Sequence, residues 1–403
     1  MGKWSLLMVM GFSLIALQVM PTVNKRVNDA YSNYMNYWDS TQAHNLAVSA
    51  ANMGANIIFE NPTSPSTWEA GIPSTSFAGG TLKATMAYMT GADSAKIKII
   101  ASGLFLGVPD SVFVILEPGS FARFAYFSNV EGGINWVTQD TIWGPLHTQD
   151  VMTINGTPTF WGKVSALKGT SPAKSSAKFY GGYASGVNIP LPGDLNGVTS
   201  AATSGGKMFT GMTDVWLTFQ NDSVKYKTSK TGAWTITPFR TLAPNGVIGI
   251  SNGNLHVQGT FKGQGTIVAN GSGNGNVYID DNVLYKTDPS VTPSSTDLLG
   301  ICAYNSIIVS DSTANHTNCT IDAAMFCLKQ GLTAQDYSSL PICGNLTIMG
   351  GIQQYQRGAV GTVSGGVINH GFQKNYNYDN RLMTAFPPYY PATGTYQIIS
   401  WLE

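Results

Sequence analysis

Charged side chains are scarce in this 403-residue chain, where 22 basic and 22 acidic residues together make up 11% of the sequence. In ordinary soluble domains about a quarter of the residues are charged. Because the two signs cancel, the chain offers no basic surface for nucleic acid, and we predict no nucleic-acid partner. A neutral surface also lacks the self-repulsion that keeps cytosolic proteins apart. This composition favours an exported product that assembles or lies on a surface.

Catalytic motifs are also missing. Neither H-E-x-x-H nor G-x-x-x-x-G-K-[ST] occurs, and these strings mark zinc proteases and phosphate-binding loops. G-x-S-x-G occurs once, at residues 249–253, but a strand-like segment follows it and not the helix that the nucleophile elbow of a hydrolase requires. His147 and His256 lie in apolar, strand-like segments, which is typical of structural histidines. Asp280 and Asp281 come nearest to a carboxylate pair, and we interpret them as part of a solvated turn. The sequence therefore predicts a protein that is not an enzyme, with no catalytic residue, no metal site and no cofactor.

An apolar run at residues 4–20 begins the chain and is followed by Pro21. Such a run must be buried in a bilayer or against copies of itself. Lys3 precedes the run, as the positively charged start of a signal peptide does, but no small-x-small cleavage site follows the run. Three interpretations stay open: a cleaved signal peptide, a permanent membrane anchor, and a helix that assembles with its neighbours. The third predicts an assembly helix that contains Leu6, Leu7, Val9, Met10, Phe12, Leu14, Ile15, Leu17 and Pro21.

A helical pattern continues beyond the apolar run to about residue 59. Apolar residues recur at helical spacing from Val23 to Trp38, and the residues between Ala47 and Ala55 are mostly small. Small side chains allow a sheet or a second helix to approach closely. Strand-like segments follow at 81–89, 96–105 and 111–118, separated by turn residues. We predict that they form an antiparallel sheet that packs on the second half of the helix.

Apolar segments then recur about 22 residues apart, beginning at Leu255, Val277, Leu299 and Ile321. This period, with glycine and asparagine at the corners, is typical of stacked β-solenoid rungs. An ordinary β-sandwich with accidental spacing is the alternative. The predicted fold class is α+β, mostly β: a long N-terminal hydrophobic and amphipathic helix, an antiparallel sheet, and a β-solenoid (β-helix) region. The predicted domains are 1–59, 60–120 and 121–403, with a loop-rich excursion at about 170–245.

All four cysteines lie late in the chain, and none forms a C-x-x-C pair. In an exported chain they predict disulfides rather than a zinc or redox site. Residues one rung apart lie close enough for a disulfide. Of the three pairings available, the spacing favours Cys302 with Cys327 and Cys319 with Cys343.

Four segments carry a resemblance to a known family. They are MGKWSLL at the start, AHNLAVSAANMGANIIF at the end of the helix, GPLHTQDVMTINGTPTFWGKV in the middle, and KNYNYDNRLMTAFPPYYPATGTYQIISWLE at the end. The chain resembles an exported, type IV pilin-like bacterial family of uncharacterised function, with an N-terminal hydrophobic helix and a large β-helical C-terminal region. The resemblance implies a pilin-like sheet after the helix and a subunit of a secretion-linked or surface filament. It implies no catalytic residues.

Three functional hypotheses follow. The first is a structural subunit of an extracellular, type IV pilus-like filament. It predicts a helical homopolymer that is anchored in the inner membrane before assembly and is handled by secretion or pilus-assembly machinery. The second is a membrane-anchored β-helical surface adhesin or glycan-binding protein. The third is a β-helix enzyme that acts on polysaccharide.

Overall fold

The computed structural model describes residues 2–62, 64–90, 96–138, 140–173, 175–364 and 367–403. The chain divides into two compact units, one holding residues 1–119 and 394–403 and the other residues 120–393. Within these described residues, one very long helix and 30 strands confirm the α+β, mostly β class.

Helix α1 (Gly2–Glu60) confirms the predicted N-terminal helix almost to the residue; Met1 lies outside the described residues. Pro21 lies within α1 and does not end it. The helix stops two residues before Pro62, because a residue that precedes proline disfavours the helical conformation. At 1.5 Å per residue, α1 is about 90 Å long.

The strands of the first unit form one sheet in the order β1-β2-β3-β4-β30, and the pairs β1–β2, β2–β3 and β3–β4 are antiparallel. They are β1 (Ile72–Phe77), β2 (Gly80–Tyr88), β3 (Ile97–Phe105), β4 (Val108–Ser120) and β30 (Ala392–Leu402), with a short helix α2 (Pro65–Trp68) before β1. Strands β2, β3 and β4 coincide with the three predicted segments. The predicted turn at Gly91 lies outside the described residues.

The last third of α1 packs on this sheet, mainly against β3 and β2. Its buried residues recur every three or four positions, which places them on one face of the helix: Ala43, Leu46, Ala47, Ala50, Ala51, Gly54, Ala55 and Ile58. The contact is close because both sides are small. A Cβ on Gly103 of β3 would lie 2.1 Å from the carbonyl oxygen of Ala43 and 2.7 Å from the nitrogen of Ala47. The predicted role of the small residues is therefore confirmed.

The second unit consists mainly of short strands that pair in parallel. Its strands are β5 (Tyr126–Val130), β6 (Trp136–Val137), β7 (Thr141–Ile142), β8 (Leu146–Thr148), β9 (Met152–Asn155), β10 (Thr159–Phe160), β11 (Val164–Ala166), β12 (Thr170–Ser171), β13 (Lys178–Phe179), β14 (Tyr183–Ser185), β15 (Lys207–Thr210), β16 (Asp214–Asn221), β17 (Ser223–Lys227), β18 (Thr235–Pro238), β19 (Val247–Ser251), β20 (Asn254–Phe261), β21 (Gln264–Asn270), β22 (Val277–Tyr285), β23 (Leu298–Ala303), β24 (Ile307–Val309), β25 (Cys319–Cys327), β26 (Leu332–Ala334), β27 (Ile342–Gln356), β28 (Gly361–Ser364) and β29 (Val367–Tyr378). Its helices are α3 (Asn196–Thr203) and α4 (Phe239–Leu242), with 3-10 turns at Phe121–Arg123, Thr313–His316 and Asn380–Met383.

The longest series of parallel pairs aligns one apolar side chain from each strand. In register along it lie Ile248, Ile267, Ile301, Met325, Ile352, Tyr126, Leu146, Val164 and Tyr183. All of them except Tyr183 are buried. Because successive side chains of a strand point to opposite faces, this row lines the core and its neighbours point the other way.

The order of strands in this series differs from their order in the chain. Strand β5 pairs with β27, and β8, β11 and β14 follow it. The chain therefore enters the series at its middle, reaches one end at β14, and resumes at the other end with β15 and β19. Residues 186–206, which include α3, make this connection, and they lie within the range predicted to be loop-rich.

The 22-residue period holds for its first step and fails afterwards. Leu255 pairs with Val277 as predicted, but Val277 pairs with Ile307, and Leu299 pairs with Gly265 of the other series. Insertions between strands, at residues 286–297 and 310–318, lengthen the later steps. An insertion in a loop changes the sequence spacing without changing which strands meet.

Candidate functional site

The predicted assembly helix is the first third of α1, and its apolar side chains are uncovered. The eight apolar residues of the prediction are each between 57% and 75% exposed: Leu6, Leu7, Val9, Met10, Phe12, Leu14, Ile15 and Leu17. Successive helical residues are turned by about 100°, so these positions cover every side of the helix. The segment therefore needs an apolar environment all round.

The same helix is long and apolar enough to cross a bilayer, judged by length and composition. A signal sequence near an N-terminus has the same character, so this property does not separate the three interpretations of the run. The described residues of the chain bury none of the most apolar 18-residue stretch.

Two groups of aromatic side chains lie in different surroundings. Phe121 and Phe127 are buried, and their rings meet edge to face with centroids 4.9 Å apart. By contrast, the aromatic side chains in the middle of α1 are exposed, namely Tyr31, Tyr34, Tyr37 and Trp38. Exposed aromatics beside an uncovered apolar run extend the surface available to a partner.

All four cysteines are free thiols, so neither predicted disulfide forms in this structure. The register explains why. Cys302 lies opposite Phe326, and Cys327 lies opposite Ala303, so the two cysteines are one position out of step and their side chains point to opposite faces of the sheet. Cys319 lies opposite Leu346, three residues beyond Cys343. Burial raises the pKa of Cys319 and of Cys327 to about 12, which keeps these thiols protonated and unreactive.

Of the histidines and carboxylates singled out in the sequence, His256 and Asp280 meet, whereas His147 has other partners. His147 is fully buried, with Nδ1 2.8 Å from the Ser165 hydroxyl oxygen and Nε2 3.3 Å from Gln149 Oε1, which agrees with a structural histidine. Asp280 does not belong to a solvated turn as predicted. It lies within β22, and its carboxylate is 3.0 Å from His256 Nδ1. Within the described ranges no three His, Cys, Asp or Glu residues are grouped as a metal site would require.

One feature that the sequence reasoning missed is an exposed ladder of aromatic rings. Trp143, Trp161 and Tyr180 stack with centroids 5.2 and 4.4 Å apart. Each is followed by glycine, and a Cβ on Gly162 would lie 2.2 Å from the carbonyl of Gly144. The signal was present in the sequence as an aromatic–glycine pair that recurs at residues 143, 161 and 180.

Comparison with known proteins adds little to this geometry. No protein-family model matches the chain, and no curated protein does. Among solved structures, the chain is similar to the crystal structure of the competence-associated pilin ComZ from Thermus thermophilus, with 12% identity and a TM-score of 0.38. The match covers 90% of this chain and 97% of that one. Values this low do not establish a common fold or a common role.

Proposed function

We propose that this protein is the structural subunit of an extracellular, type IV pilus-like filament and that residues 1–59 are its assembly helix. The observation that carries the proposal is the apolar run at residues 4–20, which the described part of the chain leaves uncovered on every side of α1. The last third of the same helix is seated on a sheet, so the uncovered part is held on a folded unit.

The energy of burying this run is sufficient for assembly. A large apolar side chain contributes about 1.5–3 kcal/mol when it is fully buried. Eight such side chains therefore favour association by on the order of ten kcal/mol, from which the cost of immobilising a subunit is subtracted. When one non-closing contact is repeated between copies, the product is a helical filament. The partner is thus a second copy of the same chain.

Before assembly the run requires a bilayer. At 1.5 Å per residue it is about 26 Å long, close to the ~30 Å hydrocarbon core of a membrane. We infer that the subunit is held in the inner membrane until secretion or pilus-assembly machinery extracts it.

We also infer a division of roles along the chain, with residues 60–120 and the last strand, β30, supporting the helix and the rest of the region predicted at 121–403 forming a β-solenoid at the filament surface. The in-register parallel pairs of the second unit support this inference. The buried row of apolar side chains supports it as well, since stacked rungs bury alternate residues inward.

The test is a charge in the middle of the run. In Leu14→Asp, a carboxylate replaces a side chain that is buried in the assembled state, where an unpaired charge is strongly disfavoured. We expect no filaments in material sheared from cells and viewed by negative-stain microscopy, while the thermal unfolding of the β-strand regions is unchanged. Mass spectrometry of wild-type filaments should identify this chain as their main component.

The matched control is Ser272→Asp, which adds the same charge to an exposed loop position of the second unit, outside the assembly helix. We expect its filaments to be normal. Normal filaments from Leu14→Asp would disprove the assembly role of the run. Wild-type protein that stays in membranes as a monomer would instead support the second hypothesis, a membrane-anchored adhesin.

A further inference from the structure

A cleft in the second unit is lined by residues of three neighbouring strands, β16, β20 and β22, and by residues that directly follow β24 and β26. It has a volume of about 900 Å³ and follows the parallel pairing from β16 through β20, β22 and β24 to β26. At about 4.8 Å per strand, the floor is on the order of 19 Å long. Residues 228–230, which follow β17, and residues 310–312, which follow β24, also line the cleft. This shape fits an extended chain and not a compact ligand.

The floor of the cleft is a stack of three rings from successive strands. Trp216, His256 and Tyr278 are in register, and their centroids are 4.9 and 4.8 Å apart with interplanar angles of 17° and 9°. The ammonium of Lys227 lies 5.1 Å above the centroid of the Trp216 ring. Since each ring is held between neighbours, the floor is rigid before any ligand arrives, which lowers the cost of binding.

Carboxylates flank this stack and are held in fixed orientations. His256 Nδ1 is 3.0 Å from Asp280 Oδ2, and His256 Nε2 is 3.6 Å from Asp214 Oδ1. The Ser310 hydroxyl donates to Asp280 Oδ1 at 2.6 Å, and the Asn254 amide donates to Asp214 Oδ1 at 3.1 Å. A carboxylate accepts several hydrogen bonds, so both groups retain capacity for donors on a ligand.

The charge of the lining selects among extended ligands. Asp214, Asp280 and Asp311 line the cleft together with Lys230, and the ammonium of Lys227 lies over the Trp216 ring of its floor. With three carboxylates and two ammonium groups, the cleft disfavours an acidic polysaccharide or a nucleic acid, whose many negative charges would lie beside the carboxylates. The cleft suits a ligand rich in hydroxyl or amino groups, because these groups donate charge-assisted hydrogen bonds to the carboxylates.

A peptide fits this cleft less well than a glycan. The strands of the floor are already paired with neighbours on both sides, so they offer no free edge for an added peptide strand. The lining combines ring edges with hydroxyl and carboxylate groups and has no deep apolar pocket for an anchoring side chain.

We propose that this cleft binds a linear glycan built of neutral or amino-sugar units, independently of filament assembly. The carboxylates of Asp214 and Asp280 accept hydrogen bonds from its hydroxyl or amino groups, and the stack of Trp216, His256 and Tyr278 supports its sugar rings.

The experiment uses the full chain in a detergent without a sugar headgroup, because a sugar detergent would compete for the cleft. The protein is applied to a printed array of linear neutral, amino-sugar and acidic oligosaccharides that also carries hexalysine. The best oligosaccharide is then titrated by calorimetry. We expect binding to neutral or amino-sugar chains, with an affinity that rises with the number of units up to the length of the cleft. Binding to acidic glycans alone, to hexalysine alone, or to nothing would overturn the proposal.

Substitutions in the cleft test whether the glycan binds there. Asp280→Asn and Trp216→Ala should each weaken binding at least about tenfold, the equivalent of one charge-assisted hydrogen bond or one lost stacking surface. Tyr278→Phe keeps the ring stack and removes one hydroxyl, so it remains informative if Trp216→Ala fails to fold. The matched control is Trp161→Ala, which breaks the exposed ladder elsewhere in the same unit and should bind like the wild type. Wild-type affinity in all three cleft variants would show that the glycan binds elsewhere and would refute the proposal.

Discussion

Burial shifts the pKa values of two titratable side chains of the second unit in opposite directions. Burial lowers the pKa of His147 to about 4, from an ordinary value near 6.5. Burial is also the main cause that raises the pKa of Asp322 to about 6, although the backbone N–H of Tyr285 donates to this carboxylate at 2.9 Å. Both groups titrate between about pH 4 and 6.5, so the pH profile of the wild type hides the two contributions and single variants are needed to separate them.

Between about pH 4 and 6.5, the His147 ring is neutral in the folded chain and protonated in the unfolded chain. The stability that this contributes is complete above about pH 6.5 and is lost as the pH falls toward 4. In His147→Gln, the loss of unfolding free energy between pH 7.5 and pH 4.5 should therefore be about 2–3 kcal/mol smaller than in the wild type. Denaturant titrations at the two pH values measure this. An unchanged loss would contradict the buried, neutral state.

For Asp322 the sign is reversed, because its raised pKa makes ionisation costly in the folded chain. The free energy of unfolding of the wild type therefore falls as the pH rises from about 4 through 6, because the Asp322 carboxyl group ionises more readily in the unfolded chain. Asp322→Asn keeps an oxygen for the Tyr285 N–H and cannot ionise. We expect the variant to be more stable than the wild type at pH 7.5 by on the order of 2 kcal/mol and equally stable near pH 4. Thermal unfolding at both pH values measures this, and equal stability of the two proteins at pH 7.5 would contradict it.

At the scale of elements, the contact between α1 and its sheet depends on the absence of a side chain at Gly103. In Gly103→Ala, the new Cβ meets backbone atoms of Ala43 and Ala47, which cannot rotate away as a side chain would. We expect the first unit to lose about 2–3 kcal/mol of stability, measured by thermal unfolding. Gly11→Ala is the control. Gly11 lies in α1, outside the contact with the sheet, and nothing lies within 4 Å of the new Cβ. Equal unfolding of the two variants would show that the contact is not close.

Most elements of the first unit were predictable because their signals are local. The spacing of small residues predicts the buried face of α1, and alternating apolar residues predict β2, β3 and β4. The exposed state of Tyr34 and Trp38 was not predictable, since helical spacing indicates which residues share a face and does not show what covers that face.

At the scale of the whole molecule, stacked rows of apolar side chains hold the second unit together, and no disulfide joins any part of the described chain. We expect four alkylated cysteines per chain when the protein is unfolded in iodoacetamide without a reductant. In the native state, Cys302, Cys319 and Cys327 should stay unlabelled, because they are buried and their thiols are protonated. Intact-mass spectrometry counts the labels. Two or four missing labels in the unfolded protein would show that disulfides do form.

The sequence by itself determined the long helix, its apolar run and the three antiparallel strands, because each depends on the order of residues within one short segment. Only the tertiary structure decided that β5 pairs with β27, that Cys302 and Cys327 face opposite ways, and that Trp216, His256 and Tyr278 form one stack. These outcomes depend on the register between segments tens to hundreds of residues apart. A shift of one residue reverses every side chain of a strand, and insertions in loops remove the regular spacing from which that register could have been inferred.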